Sequence, residues 1–395
     1  MGASVDARKP LSGIRVVDFT AVVAGPWATR MLADCGAEVI KIEAVGDGDL
    51  LRFTPPVEGG MSRVFAHFNA GKKSVTLNLK TAAGLEVARA LAKSADVIVE
   101  NFRPGVMARL GLDYETLAKD NPGLIFCSVS GYGQSGPDAG KAAYAPVVHA
   151  ASGFEYIMAR AQGGDGAPLN SAVMVADFTA GVYAFGAIQT ALLHRERNGV
   201  GGHVDVTLIE SMMSLLAIQF QEALPAKPLD SRVFRPMKTL DGHIMIPLVS
   251  PKGYLAVYQV IGHDDWLTDP GYNQMAGIMA HQAEIDAAIA AWTSRHTTAQ
   301  CEAALSAAGA PFSAYARPVD LYQNEHLRQR GVFAPMSDAA GDYTVLNPPF
   351  RLSEADCAAG ANVSRPGADT EAIVRSVMNL DETAYARLAA EGAFG

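Results

Sequence analysis

The stretch that decides the fold is residues 13–43, GIRVVDFTAVVAGPWATRMLADCGAEVIKIE. Two runs rich in β-branched residues, GIRVVDF and AEVIKIE, flank PWATRMLADCG, whose apolar spacing is that of a helix. A strand, a helix and a second strand in this order form a βαβ unit, in which the two strands run parallel. Both strands are apolar on both faces, which is typical of a sheet covered by helices on each side.

The same alternation continues through the first half of the chain. SVTLNL, DVIVENF and LIFCSVSGY are further predicted strands, and AAGLEVARALAKS and YETLAKDN are predicted helices. HVDVTLIES, from His203, is predicted to be one more strand that leads into the helix MMSLLAIQFQEAL. The uncharged residues 178–193 are predicted to form a buried helix that is too short to span a membrane. The pattern predicts an α/β fold with a mainly parallel sheet.

The character of the sequence changes at about Pro225. PAKPLDSRVFRP lacks periodicity, and it is followed by the hairpin-like MKTLDGHIMIPLVSPKGYLAV and by Ala-rich helical stretches in residues 280–308. The tail holds a β-like run, DYTVLNPPF, and two amphipathic helices, the last ending near Ala390. We therefore predict a large domain formed by residues 1–224 and 332–395, and a smaller α+β domain formed by residues 225–331.

Composition and missing motifs narrow the function. The 395 residues are 49% hydrophobic and 18% charged, with a net charge of −9, which argues against a nucleic-acid or anionic membrane surface. The first residues lack the apolar segment of a secretory signal, and the four cysteines include no CxxC pair, so a cytoplasmic protein is predicted. GxxxxGK[ST], GxGxxG after the first strand, HExxH and GxSxG are all absent, and the histidines show no metal-ligand spacing.

A six-residue motif occurs in two copies that differ at one position: VVDFTA begins at Val16 and VADFTA at Val175. Their flanks do not match, so the chain is not a repeat protein. Asp18 ends the first predicted strand, where a short polar side chain turns the chain or caps the next helix. Asp177 directly precedes an apolar helix, and from these residues alone an N-cap is the favoured role.

Six segments occur in a fixed order: LSGIRVVDFT, VAGPWATRMLADCGAEVIKIE, GKKSVTLNLKT, DVIVENFRPGVMARLGLDYETL, NPGLIFCSVSGYGQSGP and VADFTAGVYAFGAIQTALLHRERNGVGGHVDVTLIES. Together with GAPFSAYARPVDLYQNEHLRQRGVF in the tail, they make the chain resemble the class III CoA-transferases. That family comprises formyl-CoA, carnitine and bile-acid CoA-transferases and 2-methylacyl-CoA racemases. The resemblance covers nearly the whole chain. It implies a Rossmann-like large domain built from both chain ends, a smaller domain between them, and an interlocked homodimer.

The resemblance also implies roles for individual residues. Asp177 aligns with the nucleophilic aspartate of the family, and the amide dipoles at a helix N-terminus are expected to keep it ionised. The implied CoA-binding residues are Lys80, Arg109 and Arg103 for the phosphates, Leu77, Asn101 and Phe102 for the nucleotide, Val23 and Ala24 through the backbone, and Tyr144 for oxyanions or the acyl group. Lys72 and Lys73 are further candidate neighbours of the phosphates.

The implied reaction moves CoA between two carboxylic acids, either on two molecules or within one. It proceeds through an aspartyl–acyl anhydride and an enzyme–CoA thioester, and it needs no metal or redox cofactor beyond the CoA thioester that is its substrate. Arg232, Arg235 and Lys238 in the connector could bind a second carboxylate, which predicts a dicarboxylic acyl group such as succinyl, mesaconyl or itaconyl. The alternative is that these cations are solvated or pair with Asp230 and Asp241.

The chain departs from the family pattern in several places. Ala44 and Ala142 replace an arginine and a lysine of the formyl and oxalate branch, and SRVFRPM stands where that branch has a glycine-rich loop. Racemases carry a histidine where this chain has Tyr144, and His149 is expected to face elsewhere. Two other functions stay open: a racemase that uses a different base, and a CoA-thioester-binding relative without catalysis.

Overall fold

The computed structural model describes residues 8–162, 167–223 and 234–395. The chain divides into two compact units, Met1–Leu224 with Leu327–Gly395, and Pro225–His326. We call the first the large unit and the second the small unit. The sequence analysis places the return to the large domain at residue 332, a few residues beyond Leu327.

The strands in chain order are β1 (Arg15–Asp18), β2 (Glu38–Ala44), β3 (Val57–Glu58), β4 (Met61–Ser62), β5 (Lys73–Leu77), β6 (Val97–Glu100), β7 (Ile125–Ser130), β8 (Gly202–Thr207), β9 (Met237–Lys238), β10 (His243–Met245), β11 (Ser313–Ala314), β12 (Phe333–Asp338) and β13 (Gly341–Leu346). The helices are α1 (Ala24–Asp34), α2 (Arg63–Asn69), α3 (Ala82–Lys93), α4 (Val106–Leu110), α5 (Tyr114–Leu117), α6 (Ala145–Ala151), α7 (Phe154–Ala161), α8 (Val175–Asn198), α9 (Leu208–Ser214), α10 (Ala217–Ala223), α11 (Pro251–Ile261), α12 (Pro270–Asn273), α13 (Met275–Ala280), α14 (Gln282–Thr293), α15 (Thr298–Ala307), α16 (Pro318–Leu321), α17 (Glu325–Gln329), α18 (Thr370–Met378) and α19 (Glu382–Ala390). Short 3-10 segments lie at Leu50–Phe53 and Asp264–Leu267.

A six-stranded sheet forms the centre of the large unit, in the order β5-β2-β1-β6-β7-β8, and each neighbouring pair is parallel. From β1 the chain moves outward through β2 to β5, and it then crosses to β6 on the other side of β1. The loops that follow β1 and β6 therefore diverge and leave a crevice at the carboxyl ends of the strands, where doubly wound sheets bind their ligands. The predicted parallel α/β sheet is confirmed.

Successive strand residues pack into two apolar layers on opposite faces of the sheet. Val16 and Val97 pack in the layer of α1, α6, α8 and α9, whereas Val17 and Ile98 pack in the layer of α3, α18 and α19. The two predicted tail helices are α18 and α19, and the second ends at Ala390 as expected. Both chain ends therefore build the large unit, with helices on both faces.

The small unit has its own apolar core under a three-stranded antiparallel sheet, β11-β10-β9. The predicted hairpin is confirmed for β9 and β10, but its continuation through PKGYLAV is wrong because these residues begin α11. Ser250 accepts a hydrogen bond from the Gly253 N–H, and Pro251 occupies the first turn. Serine before proline is a strong helix start, which outweighs the β-branched residues that follow.

The uncharged segment 178–193 lies within α8, but the prediction that this helix is buried is wrong for the single chain. Its buried residues, which include Ala176, Ala180 and Ala184, form one narrow stripe, while Val182 and Tyr183 on another face are exposed. Absence of charge shows only that a helix is apolar, and it does not show what covers each face. Among the described residues, none of the helices combines the length and apolar character needed to cross a membrane. The interlocked homodimer stays a prediction.

We predict opposite effects from alanine at two glycines of α8. A Cβ at Gly181 would lie 2.7 Å from the Ala24 carbonyl oxygen and 2.9 Å from Trp27 Cδ1, so Gly181→Ala must push α8 away from α1. Gly186 has nothing within 4 Å of the same position. In urea unfolding, Gly181→Ala is expected to lower stability by about 1–3 kcal/mol, and Gly186→Ala to raise it by about 0.5–1 kcal/mol. Equal effects would contradict the close packing.

Candidate active site

Asp18 organises the loop that leaves β1. Its carboxylate is fully buried and accepts hydrogen bonds from the Thr20 N–H at 2.9 Å and from the Thr29 hydroxyl at 2.7 Å, and it pairs with Lys72 at 3.0 Å. Burial alone would raise the pKa of Asp18, but Lys72, Lys41 and the two threonine hydroxyls lower it to about 2. Asp18 therefore turns the chain, one of its two expected roles, while the N-cap of α1 is Val23.

The predicted phosphate role of Lys72 is wrong. Its ammonium is buried and donates to Asp18, Thr29, Asn69 and the Pro26 carbonyl, and burial lowers the pKa of Lys72 to about 8. A lysine with four protein acceptors is a structural cation rather than a ligand for an incoming phosphate. Its neighbour Lys73 begins β5, at the end of the strand opposite to the crevice, and pairs with Glu38 at 2.5 Å.

A second buried pair holds the tip of the β1 loop. Lys41 Nζ donates to the Thr20 carbonyl at 2.7 Å and pairs with Asp49 at 2.9 Å, and Asp49 accepts the Val22 N–H at 3.2 Å. The Asn101 side chain binds both backbone groups of Ala21, at 2.9 and 2.8 Å. These bonds are needed because Val22 has a φ of 69°, which is unfavourable for a β-branched residue.

Two adjacent cavities open at the carboxyl ends of the strands in the large unit. The first, of about 300 Å³, lies between the loops after β1, β6 and β7 and the start of α8. The second, of about 550 Å³, lies over the ends of β2 and β5. Ala21 and Phe102 line both cavities, so the two cavities adjoin at this loop and this ring.

The structure brings most of the predicted site residues to these cavities. The first is lined by Ala24, Asn101, Phe102, Arg103, Tyr144 and Asp177, and the second by Leu77, Lys80 and Phe102. Two of the departures from the family pattern also line the cavities, Ala142 the first, beside Lys141, and Ala44 the second. The amide of Asn101 is already bound to Ala21, so this side chain shapes the loop.

Two predicted residues line neither cavity. The Val23 side chain is buried against Trp27 and Met31, which leaves only its backbone for a ligand. Arg109 lies exposed on the short α4, near Gly105. Of the connector cations, Arg232 lies outside the described residues, and Arg235 and Lys238 are exposed in the small unit.

Asp177 stands in the first turn of α8, half-buried in the wall of the first cavity. The N-cap residue is Met174, so the expected capping role of Asp177 is wrong. Burial raises the pKa of Asp177 to about 6, although a hydrogen bond from the Ala24 backbone N–H lowers it. Loss of water therefore outweighs this hydrogen bond. The carboxyl is still mostly ionised at pH 7, which lies above this pKa.

Sequence reasoning missed three residues that shape the site. Lys41 and Asp49 hold the β1 loop as a buried ion pair. The sequence does contain a signal for this pair, because a lysine inside the apolar run EVIKIE is expected to be buried and therefore to need a partner of opposite charge. His149, dismissed as facing elsewhere, does not line the first cavity, but its Nε2 lies 3.1 Å from the Ala176 nitrogen at the start of α8. Only the three-dimensional packing of α6 on α8 shows this contact.

Comparison with known proteins gives the family. Residues 11–370 match CoA-transferase family III. The chain belongs to this family. The enzyme is 30% identical to succinyl-CoA:glutarate CoA-transferase of Mus musculus over 98% of its own length and 91% of the relative. It is 36% identical to succinate–glutarate CoA-transferase of Agrobacterium fabrum, over 75% of its own length and 78% of the relative.

Solved structures resemble the enzyme over almost its whole length. Rv3272 from Mycobacterium tuberculosis is 30% identical with a TM-score of 0.82, and the match covers 92% of this chain and 98% of that one. A CAIB/BAIF family protein from Brucella suis is 29% identical with a TM-score of 0.80, covering 94% and 100% of the two chains. The enzyme is thus a class III CoA-transferase by sequence and by fold.

The raised pKa of Asp177 predicts that this carboxylate lowers stability at neutral pH. The folded-state pKa of about 6 lies above the unfolded value of 3.8, so the protonated form favours folding at low pH, and this gain is lost as pH rises through 6. Asp177→Asn is therefore expected to raise the free energy of unfolding by about 3 kcal/mol at pH 7.5 and by about half of that at pH 5.

Urea unfolding at the two pH values measures this difference. The control is Asp113→Asn, at a partly exposed helix cap where asparagine serves equally well, and it is expected to change stability by less than about 0.5 kcal/mol at both values. A stability change for Asp177→Asn that is the same at pH 5 and pH 7.5 would argue against the raised pKa.

Proposed function

We propose that the enzyme transfers CoA between two carboxylic acids with Asp177 as its covalent nucleophile. The observation that carries the proposal is the placement of the Asp177 carboxylate in the wall of the first cavity, at the start of α8, where it accepts the Ala24 N–H. Burial makes this carboxylate more basic than a solvated one, and a more basic oxygen is the better nucleophile while it remains ionised.

The transfer has four steps that conserve atoms and charge. The Asp177 carboxylate attacks the thioester carbonyl of the donor, the C–S bond breaks, and CoA leaves as a thiolate from a mixed anhydride. The thiolate attacks the aspartyl carbonyl and releases the donor acid, which leaves an enzyme–CoA thioester. The acceptor carboxylate attacks this thioester to give a second anhydride and CoA thiolate. The thiolate then attacks the acyl carbonyl of that anhydride, which gives the new acyl-CoA and free Asp177.

Each step places negative charge on a carbonyl oxygen, and the first cavity holds donors for it. The Ala24 N–H already points to the carboxylate of Asp177, and α8 contributes the positive end of its dipole. The Tyr144 side chain is 67% exposed on the cavity wall and can bind the acyl group or an oxyanion. None of these steps uses a metal or redox group, so the CoA thioester is proposed to be the only cofactor-like molecule in the reaction.

We propose that the second cavity holds the nucleotide of CoA. Its volume of about 550 Å³, the apolar Leu77 and the exposed Lys80 suit an adenosine with a phosphate at the rim. Phe102 lines both cavities, so the pantetheine arm would pass this ring on its way to Asp177. Arg109, exposed on α4, would bind phosphate outside the two cavities.

The geometry favours transfer over racemisation. A racemase needs a base beside the α-carbon of the acyl group, and Tyr144 occupies the position of the histidine that the resemblance would supply. His149 is buried away from the first cavity, and its Nε2 lone pair already accepts the Ala176 N–H. No imidazole therefore lines this cavity among the residues that the structure describes.

We further propose a dicarboxylic acyl group, transferred between two molecules or within one. Relatives of the enzyme are named for succinyl-CoA, glutarate and L-malate, all of which carry a second carboxylate. In the first cavity, Arg103 and Lys141 supply positive charge near Asp177. Lys141 already pairs with Asp138 at 2.8 Å, whereas Arg103 has no ion pair within the described ranges. Arg103 is therefore our candidate partner for the distal carboxylate, since guanidinium groups bind carboxylates in a bidentate way.

Asp177→Ala tests the nucleophile. Loss of an essential nucleophile lowers the transfer rate on the order of 10⁴-fold or more, while the affinity for CoA, held mainly in the second cavity, changes little. Steady-state transfer assays and CoA titration measure the two effects. Hydroxylamine added during turnover is expected to modify wild-type Asp177 and to leave the alanine variant unmodified.

The matched control is Asp113→Ala, which removes a helix cap whose carboxylate accepts the Thr116 N–H at 2.7 Å. That variant is expected to lose about 1 kcal/mol of stability and to keep full activity. An Asp177→Ala enzyme that behaves in the same way, less stable but with a tenth or more of wild-type transfer, would remove the nucleophile assignment.

A donor panel combined with two arginine variants tests the acyl group. Succinyl-CoA and glutaryl-CoA are expected to react faster than butyryl-CoA, and Arg103→Ala is expected to lower kcat/KM about 10–100-fold for the dicarboxylic donors only. Arg109→Ala, in contrast, is expected to weaken all donors equally through the CoA phosphates. Equal rates for butyryl-CoA and succinyl-CoA would contradict the dicarboxylic proposal. Equal losses for both donors in Arg103→Ala would instead assign Arg103 to the CoA phosphates, as the resemblance implies.

A further inference from the structure

The helix that carries Asp177 begins without a cap of its own. Its N-cap residue is Met174, whose side chain accepts no hydrogen bond from the first turn. The first N–H groups of a helix lack partners within the helix, and each one buried without an acceptor lowers stability. Ala176, the second helical residue, is fully buried, so its N–H cannot turn to water.

His149 supplies the missing acceptor from another helix. It lies in α6, its side chain is 1% exposed, and its Nε2 accepts the Ala176 N–H at 3.1 Å. Only a neutral imidazole has a free lone pair at this nitrogen, so the ring proton lies on Nδ1. Burial lowers the pKa of His149 more than Glu155 raises it, which keeps the ring neutral.

The contact lies next to the reacting group. Ala176 directly precedes Asp177, so the bond to His149 fixes the backbone from which the Asp177 carboxylate projects. The α6 helix begins just after Tyr144, which lines the first cavity. His149 thereby joins the two elements that bring Tyr144 and Asp177 to one cavity. We propose that His149 is a positioning residue for Asp177, a role that rests on the proposed nucleophilic function of that aspartate.

The other ring nitrogen of His149 is left without a partner in the part of the chain that the structure describes. Nδ1 of His149 is buried and has no hydrogen-bond partner among the residues that the structure describes. A buried donor without an acceptor costs about 1–3 kcal/mol. A leucine at this position would remove the unpaired Nδ1 donor but would leave the Ala176 N–H buried without an acceptor, so the imidazole satisfies the N–H beside the proposed nucleophile and leaves its own Nδ1 unpaired within the described ranges instead.

Three substitutions separate positioning from simple packing. His149→Leu removes the acceptor and keeps an apolar side chain, and His149→Asn keeps polarity but is too short to reach Ala176. His149→Gln can place its amide oxygen near the position of Nε2. All three are assayed in the full-length enzyme for kcat and KM, with succinyl-CoA and glutarate as the probe pair or with the best pair of the donor panel, and for urea stability. Hydrogen exchange of the 174–180 backbone reports on the cap itself.

We expect kcat to fall about 10–100-fold in His149→Leu and His149→Asn, with KM for the acyl-CoA within about 3-fold of wild type. His149→Gln is expected to keep kcat within about 3-fold, and exchange at 174–180 to rise only in the first two variants. If kcat is retained in His149→Leu, or if all three variants lose activity in proportion to stability alone, His149 has no positioning role. Asp177→Ala is run in parallel: an active Asp177→Ala enzyme removes the proposed function itself, whereas an inactive one with fully active His149 variants removes only the positioning role.

Discussion

The geometry of the site depends on two buried ion pairs that hold the loop after β1. Asp18 pairs with Lys72, and Asp49 pairs with Lys41, with all four side chains buried. Breaking such a pair by removal of one partner typically costs about 3–5 kcal/mol, because the other charge stays buried alone. The four residues share hydrogen bonds with Thr20, Thr29 and Val22, so the buried charges tie the loop backbone to the neighbouring elements.

The β1 loop positions the groups that are proposed to take part in the reaction. Val22 is held in a left-handed conformation that its side chain disfavours, and two residues later Ala24 starts α1 and presents its N–H to Asp177. Gly181 of α8 lets the Ala24 carbonyl approach the same helix closely. The proposed oxyanion donor and the proposed nucleophile therefore lie on two helices that pack directly against each other.

The sequence predicted the sheet because each of its strands is a short apolar run bounded by turns, and that pattern is local. It also predicted Asp177 and most of the cavity residues, but only through resemblance to a family, since an aspartate before an apolar helix is in itself an ordinary cap. Lys72 was assigned to phosphate because a lysine in a sequence does not show whether its ammonium is buried. Lys41, Asp49 and His149 were missed because their partners lie on other elements, at Thr20, Val22 and Ala176, and only the packed structure brings these together. The prediction that residues 178–193 form a buried helix was wrong for a related reason. The apolar character of a helix does not show which of its faces pack against the rest of the chain.

Phe102 and Ala21 stand between the two cavities, and this arrangement has a kinetic meaning for the proposed reaction. A ligand that spans both can be cut at one end while the other end stays bound. With its nucleotide anchored, the released thiolate would remain at an effective concentration of at least about millimolar beside the acyl-aspartate. The attack of this bound thiolate on the anhydride is then intramolecular. The anhydride, which is prone to hydrolysis, would therefore be consumed before water or a competing nucleophile reaches it.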